Sequence, residues 1–128
     1  MTTLRFTRSG GLVAAPGLTV HARLELLDDG SGTVASAPGY RRRLSSDEGR
    51  SVLAAIDRLV ESPGATGHGD RACDHYRYEF EIQLASGDCQ QLSVSGTPLS
   101  DTARGAAVAE LVDWARQESD AITSARFA

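Results

Sequence analysis

Residues 75–84 read HYRYEFEIQL and, after a turn at residues 86–88, residues 90–95 read QQLSVS. In the first segment, aromatic and aliphatic residues alternate strictly with charged and polar ones, which is the period of a β-strand buried on one face. Leu92 and Val94 continue the alternation in the second segment. Two such segments joined by a glycine-containing turn predict a β-hairpin, and a strand with one solvated face is typical of an antiparallel sheet.

The same alternation marks the N-terminal part of the chain. Residues 18–26 (LTVHARLEL) alternate without a break, and Leu4 and Phe6 indicate a short strand before them. The arginines in residues 40–44 (YRRRL) favour an edge strand, because charged side chains discourage pairing between sheet edges. Residues 33–39 are small and include proline and glycine, so the sequence predicts a mobile loop there.

Two segments have the period of amphipathic helices. Ser45 and Glu48 have the spacing of a capping box, and an aliphatic stripe follows between residues 52 and 60. A second helix is predicted from Thr97–Pro98 onward, with an apolar stripe between residues 103 and 115. The predicted fold is therefore α+β: an antiparallel sheet of about four strands with two helices packed on one face, as a two-layer sandwich.

Size and composition are those of one globular domain. The chain has 128 residues, 41% hydrophobic and 23% charged, and we expect a single domain over 1–128 with its core in 4–117 and a polar C-terminal extension at 118–128. The formal charge of -4 argues against nucleic-acid binding. Apolar runs are too short to span a membrane and no signal peptide is visible, which predicts a cytoplasmic protein.

Motifs that carry catalysis or bind cofactors are few. No GxSxG, HExxH or kinase signature is present, so we expect a protein that is not an enzyme and holds no cofactor. The densest group of metal-ligating residue types lies in segment 68–75, but its spacing matches no common zinc site, and no metal is expected. Cys73 and Cys89 lie too far apart along the predicted hairpin to form a disulfide.

Four motifs in order resemble the emfourin-like inhibitors of thermolysin-type metallopeptidases. They are the RSGG run at residues 8–11 after a short strand, an alternating strand ending at Asp28, the DHYRYE run at 74–79 and the LVDW run at 111–114. The resemblance covers residues 4–117. It implies a protein that blocks a thermolysin-like, protealysin-type zinc metallopeptidase instead of cleaving a substrate.

The resemblance also implies how the peptidase is blocked. An acidic side chain on one loop is directed at the zinc, while apolar residues of a neighbouring loop occupy substrate pockets. A carboxylate can replace the zinc-bound water at about 2.0–2.2 Å, which removes the nucleophile. The candidate acids are Asp28 first, then Asp29 and Asp70. The candidate contacts with the cleft are Ser9, Gly10, Gly11, Leu12 and Val13.

The direction of the strands suggests where these acids meet. We expect the strand at 18–26 to end at the sheet edge where the strand at 75–84 begins, which would bring Asp28 and Asp29 close to Asp70. Two other hypotheses stay open. The domain is a non-enzymatic adaptor that binds another protein without inhibiting it, or a metal-dependent module that uses the histidines and cysteine of segment 68–75. The sequence leaves the oligomeric state undecided.

Overall fold

The computed structural model describes residues 1–10, 19–37, 39–61, 76–95 and 103–126. Within these ranges the chain is α+β with an antiparallel sheet and two helices, as predicted. The elements are β1 (Thr2–Gly10), β2 (Val20–Leu26), β3 (Gly32–Ser36), β4 (Tyr40–Leu44), α1 (Ser46–Glu61), β5 (Tyr76–Gln83), β6 (Cys89–Ser95) and α2 (Ala103–Arg126).

The described strands form one six-stranded sheet in the order β4-β3-β2-β1-β5-β6. Thr2 at the start of β1 lies opposite Leu26 of β2, and Gly10 at its end lies opposite Tyr76 of β5. Because β2 and β5 both run antiparallel to β1, they run parallel to each other. They begin at one end of the sheet and finish at the other, so the expectation that β2 ends where β5 begins is wrong.

β3 is the strand that the sequence analysis missed. The segment predicted to be a mobile loop pairs with β2 on one side and with β4 on the other, and Val34 is fully buried. The hydroxyl of Ser36 donates a hydrogen bond of 2.6 Å to the carbonyl of His21. Pairing on both sides outweighs the weak strand propensity of small residues. The described sheet therefore has six strands and not about four, while β4 lies at its edge as predicted.

Both helices pack on one face of the sheet and enclose the core with it. Phe6 of β1 lies at the centre, where its ring meets Trp114 of α2 edge-on at 5.6 Å and Phe80 of β5 at 6.3 Å. The N-terminal cap of α1 is confirmed, because Ser45 Oγ accepts the N–H of Glu48 at 3.2 Å. The predicted start of the second helix at 97–98 lies outside the described residues.

The helix α2 extends the core beyond the limit expected at residue 117. It continues to Arg126, and Glu118, Ser119 and Ile122 are buried. Arg8 of β1 donates a hydrogen bond of 2.8 Å to Asp120, which ties this end of the helix to the sheet. The segment appears polar in the sequence because ion pairs and hydroxyl groups occupy part of its buried face, which weakens the apolar period.

Candidate functional site

β2 and β3 are joined by a tight turn at residues 27–31, named here the Asp turn. The N–H of Leu27 donates a hydrogen bond of 2.8 Å to the carbonyl of Ser31, and the N–H of Gly30 donates one of 3.0 Å to the carbonyl of Leu27. Gly30 has a φ of +91°, a conformation that residues with a Cβ rarely adopt. Two backbone hydrogen bonds and one glycine therefore fix the shape of the turn.

Within the Asp turn, Asp29 is committed to local structure. Its Oδ1 accepts hydrogen bonds from the hydroxyl of Ser31 at 2.6 Å and from the N–H of Ser31 at 2.9 Å. This is the geometry with which an aspartate stabilises a turn two residues ahead. Because both donors favour the charged form, the hydrogen bonds from Ser31 lower the pKa of the Asp29 carboxyl. Its main role is to hold the turn.

Asp28 differs from its neighbour because its carboxylate is exposed and makes no hydrogen bond or ion pair with the described part of the chain. The sequence ranked Asp28 ahead of Asp29 only through the resemblance. The geometry gives an independent reason for the same order, since one carboxylate is used by the turn and the other is available to a partner. The two acids are adjacent in sequence, and only the hydrogen bonds distinguish them.

The Asp turn is also anchored to the first turn of α1. Gly49 packs directly against the backbone of Gly30, and a Cβ at residue 49 would collide with the carbonyl oxygen of Gly30. Arg50 adds a hydrogen bond of 3.4 Å from Nε to the carbonyl of Asp29. A turn that is already fixed before binding loses less conformational entropy when a partner immobilises it.

Two exposed apolar side chains lie at this end of the sheet, one of them within the Asp turn. Among the described residues, the large hydrophobic side chains with high exposure are Met1 at 55% and Leu27 at 53%. Since Thr2 lies opposite Leu26, Met1 extends the same register toward Leu27. The exposure of Met1 and Leu27 was not predicted from the sequence. A signal was present, because two consecutive leucines at 26 and 27 at the end of a strand cannot both face the core.

Of the residues predicted to contact a peptidase cleft, the two that the structure describes are not brought together with Asp28 and Asp29. Ser9 and Gly10 end β1 at the opposite end of the sheet from Asp28 and Asp29. The seven residues of β2 separate the two ends by roughly 20 Å at about 3.3 Å per residue. The other predicted site residues, Gly11, Leu12, Val13 and Asp70, lie outside the described residues.

The predicted metal-ligand segment at 68–75 also lies outside the described residues. Within the ranges that the structure does describe, no group of three or more His, Cys, Asp or Glu side chains is arranged to hold a metal ion. Cys89 is a free, exposed thiol on β6.

A cluster of charged and polar side chains near the start of α1 forms hydrogen bonds and ion pairs within the protein. This Arg42 network contains Arg42, Glu48, Glu118, Tyr40 and Trp114. The guanidinium of Arg42 donates to Glu48 at 2.6 Å and to Glu118 at 2.7 Å, while Tyr40 donates to Glu118 at 2.9 Å and Trp114 to Glu48 at 2.9 Å. It joins β4, α1 and α2.

Electrostatics in the Arg42 network follow from these contacts. The hydrogen bonds from Arg42 lower the pKa of the Glu48 carboxyl, and the two carboxylates raise the pKa of the Arg42 guanidinium. Burial, followed by the hydrogen bond to Glu118, raises the pKa of the Tyr40 hydroxyl. Arg42 and Glu48 therefore stay charged at neutral pH, and the network serves the fold rather than a ligand.

No protein-family model matches the chain, and neither the curated proteins nor the solved structures include one that is significantly similar to it. In the described ranges, neither helix combines the length and the apolar character needed to span a membrane.

Proposed function

We propose that this protein inhibits a thermolysin-like zinc metallopeptidase by inserting the Asp turn into the active-site cleft, with Asp28 directed at the zinc. The observation that carries the proposal is the exposed carboxylate of Asp28, which has no partner among the described residues, beside an Asp29 carboxylate that is bonded within the turn. The order of motifs that resembles the emfourin-like inhibitors supplies the target class.

The chemistry requires one free carboxylate on a projecting, rigid segment. A catalytic zinc keeps one coordination position for water, and an aspartate oxygen can occupy that position. Loss of the water removes the nucleophile that peptide hydrolysis needs. A turn fixed by its own hydrogen bonds and by Gly49 offers the carboxylate in one orientation, which favours a single mode of binding.

Apolar contacts in the cleft are assigned to Leu27 and Met1. Leu27 directly precedes Asp28 in the chain and Met1 lies at the same end of the sheet, whereas Ser9 and Gly10 lie at the far end. Burying a leucine or methionine side chain that is exposed in the free protein contributes about 1.5–3 kcal/mol to binding when the burial is complete. One end of the sheet would thus provide both the zinc-directed acid and the apolar anchors.

The test is the residual activity of a thermolysin-like peptidase after incubation with increasing amounts of the protein. We expect activity to fall toward zero near one equivalent. Asp28→Asn should weaken inhibition by roughly 100-fold, because it removes the charge that binds the zinc. Asp57→Asn on the exposed side of α1 is the matched control, since it makes the same charge change away from the turn. Equal inhibition constants for the two variants would contradict the role of Asp28.

The adaptor hypothesis shares one feature with this proposal, the exposed pair of Met1 and Leu27, which favours contact with some protein partner. It differs in making no use of a zinc-directed acid. Under this alternative, Leu27→Ser abolishes association with the partner, Asp28→Asn leaves it intact, and the peptidase stays fully active at all concentrations of the protein.

A further inference from the structure

The face of the sheet that points away from the helices is uncovered within the described part of the chain, and we name it the open face. It forms a groove of about 740 Å³ that crosses five of the six strands. The side chains that alternate onto it are charged, polar or alanine, such as Thr7, His21, Ala35 and Gln91. A surface of this composition favours recognition through charge and hydrogen bonds.

Three arginines form a row across this face, named here the arginine row: Arg5, Arg23 and Arg41. The strand register aligns Arg41 of β4 with Ala35 of β3, Ala35 with Arg23 of β2, and Arg23 with Arg5 of β1. At about 4.8 Å between neighbouring strands, the row is roughly 14 Å long. The small side chain of Ala35 leaves space between two of the guanidinium groups.

The arginine row is poorly neutralised by the described residues. Arg23 has an exposed ion pair of 3.2 Å with Glu25, but Arg5 and Arg41 form no ion pair or side-chain hydrogen bond with the described residues. Arg5 lies directly opposite Arg23 of β2, a like charge, and directly opposite Glu81 of β5, with which it forms no ion pair. The chain as a whole has a formal charge of -4, so this concentration of positive charge is local.

Arg5 and Arg23 line one side of the groove, Arg41 lies beyond it on β4, and the other side of the groove has the opposite character. Glu79 and Glu81 lie on β5, and Arg77 there is already engaged by Glu79 and by Ser93 of β6, both at 3.2 Å. The two glutamates would repel the continuous phosphate backbone of a nucleic acid. A peptide can place acidic side chains over the arginine row and neutral or basic side chains over β5.

We propose that the open face binds an acidic segment of a partner protein, with its carboxylates on the arginine row. Alternate side chains of an extended chain are about 6.6–6.8 Å apart, so acids at positions i, i+2 and i+4 span about 13 Å, which matches the row. Arginine pairs with carboxylates through two parallel hydrogen bonds, and such charge-assisted pairs are the stronger ones. This site is independent of the Asp turn and does not rest on the proposed inhibition.

The test uses a fluorescein-labelled peptide in which glutamate and serine alternate, followed by fluorescence anisotropy. We expect saturable binding that weakens as salt is raised, because the charges are exposed. The double variant Arg5→Gln/Arg23→Gln should bind at least about tenfold more weakly. Arg116→Gln, on an exposed position of α2, is the control that makes a single charge change elsewhere and should keep the affinity.

Two comparison probes complete the experiment: the same peptide with glutamine in place of glutamate, and a single-stranded RNA of similar length. The glutamine peptide should not bind, and the RNA should bind more weakly than the acidic peptide. Absence of binding at millimolar acidic peptide, an equal loss in Arg116→Gln and the double variant, or tighter binding of the RNA would overturn the proposal. Circular dichroism of each variant shows whether its fold is intact, so that a loss of affinity is not a loss of structure.

Discussion

The Arg42 network and the Asp turn both contact the start of α1, but they use their acids in opposite ways. In the network, Glu48 and Glu118 are bonded to Arg42, and the side chain of Glu118 is only 5% exposed. In the turn, Asp29 is bonded to Ser31, while Asp28 faces solvent without a partner among the described residues. Acids whose loss damages folding can therefore be separated from an acid whose loss should damage only binding.

The largest expected effect lies in the Arg42 network. Glu118→Ala should lower the free energy of unfolding by about 3 kcal/mol, because it leaves Arg42 and Tyr40 without their shared acceptor in a partly buried setting. Urea unfolding measures the loss. Asp28→Ala serves as the comparison and should unfold at the wild-type midpoint. Equal stability of Glu118→Ala and wild type would remove the distinction between the two regions.

Gly49 of α1 follows Glu48 of the Arg42 network and packs against Gly30 of the Asp turn, so it connects the two regions. Gly49→Ala should cost about 1–3 kcal/mol, because the new methyl group collides with the turn and the backbone must shift. Since the shift moves Asp28, the same variant should also inhibit the peptidase more weakly than its loss of stability explains. Ser51→Ala, at an exposed position two residues further along α1, is the control for both measurements.

The pH dependence of stability provides a finer comparison. The pKa of Glu48 is lowered in the folded protein from its ordinary value of 4.5, chiefly by the hydrogen bonds from Arg42. The unfolded chain therefore takes up a proton at higher pH than the folded one does. The stability that Glu48 contributes is present above about pH 4.5 and is lost as the pH falls through the folded-state pKa. In Glu48→Gln, the free energy of unfolding should fall less steeply as the pH is lowered. A free energy from urea unfolding that falls with pH as steeply as in the wild type would contradict the assignment.

The smallest effect is expected on the open face. Arg5 lies opposite the like charge of Arg23 and the opposite charge of Glu81, so Arg5→Gln should change the free energy of unfolding by no more than about 0.5 kcal/mol. Any change should shrink at high salt, where exposed charges are screened. A larger loss of stability in this variant would mean that Arg5 serves the fold, as Arg42 does, and would count against the open face as a binding surface.

An element could be predicted from the sequence where the spacing of its apolar residues is enough to identify it as a strand or a helix. The hairpin of β5 and β6, the strand β2 and the stripe of α1 all follow from alternation or helical spacing in a single segment. β3 was missed because Gly32–Ser36 is short and mixes Thr33 and Val34 with small residues of low strand propensity, and its pairing with β2 and β4 is not visible in the sequence. The end of α2 was predicted to lie outside the core because polar residues such as Glu118 and Ser119 are typical of exposed positions, whereas here both are buried.

The candidate site depends on facts that no local pattern contains. β1 lies between β2 and β5, and this order makes those two strands parallel and separates Ser9 and Gly10 from the Asp turn. The register of β1 on β2, which begins with Thr2 opposite Leu26, places the exposed Met1 and Leu27 at the same end of the sheet. The different roles of Asp28 and Asp29 depend on two hydrogen bonds to Ser31. The sequence identified Asp28 and Asp29 as candidates to bind the zinc. Their hydrogen bonds in the structure give the physical reason to prefer Asp28.

If Asp28 reaches the zinc of a peptidase, a small ligand bound to that zinc competes with it. The affinity of the protein for a thermolysin-like peptidase would be measured by calorimetry with and without a small hydroxamate bound to the zinc. We predict a one-to-one complex whose apparent Kd rises in step with occupancy of the zinc by the hydroxamate. An affinity that is indifferent to the hydroxamate, or the absence of any complex, would contradict it.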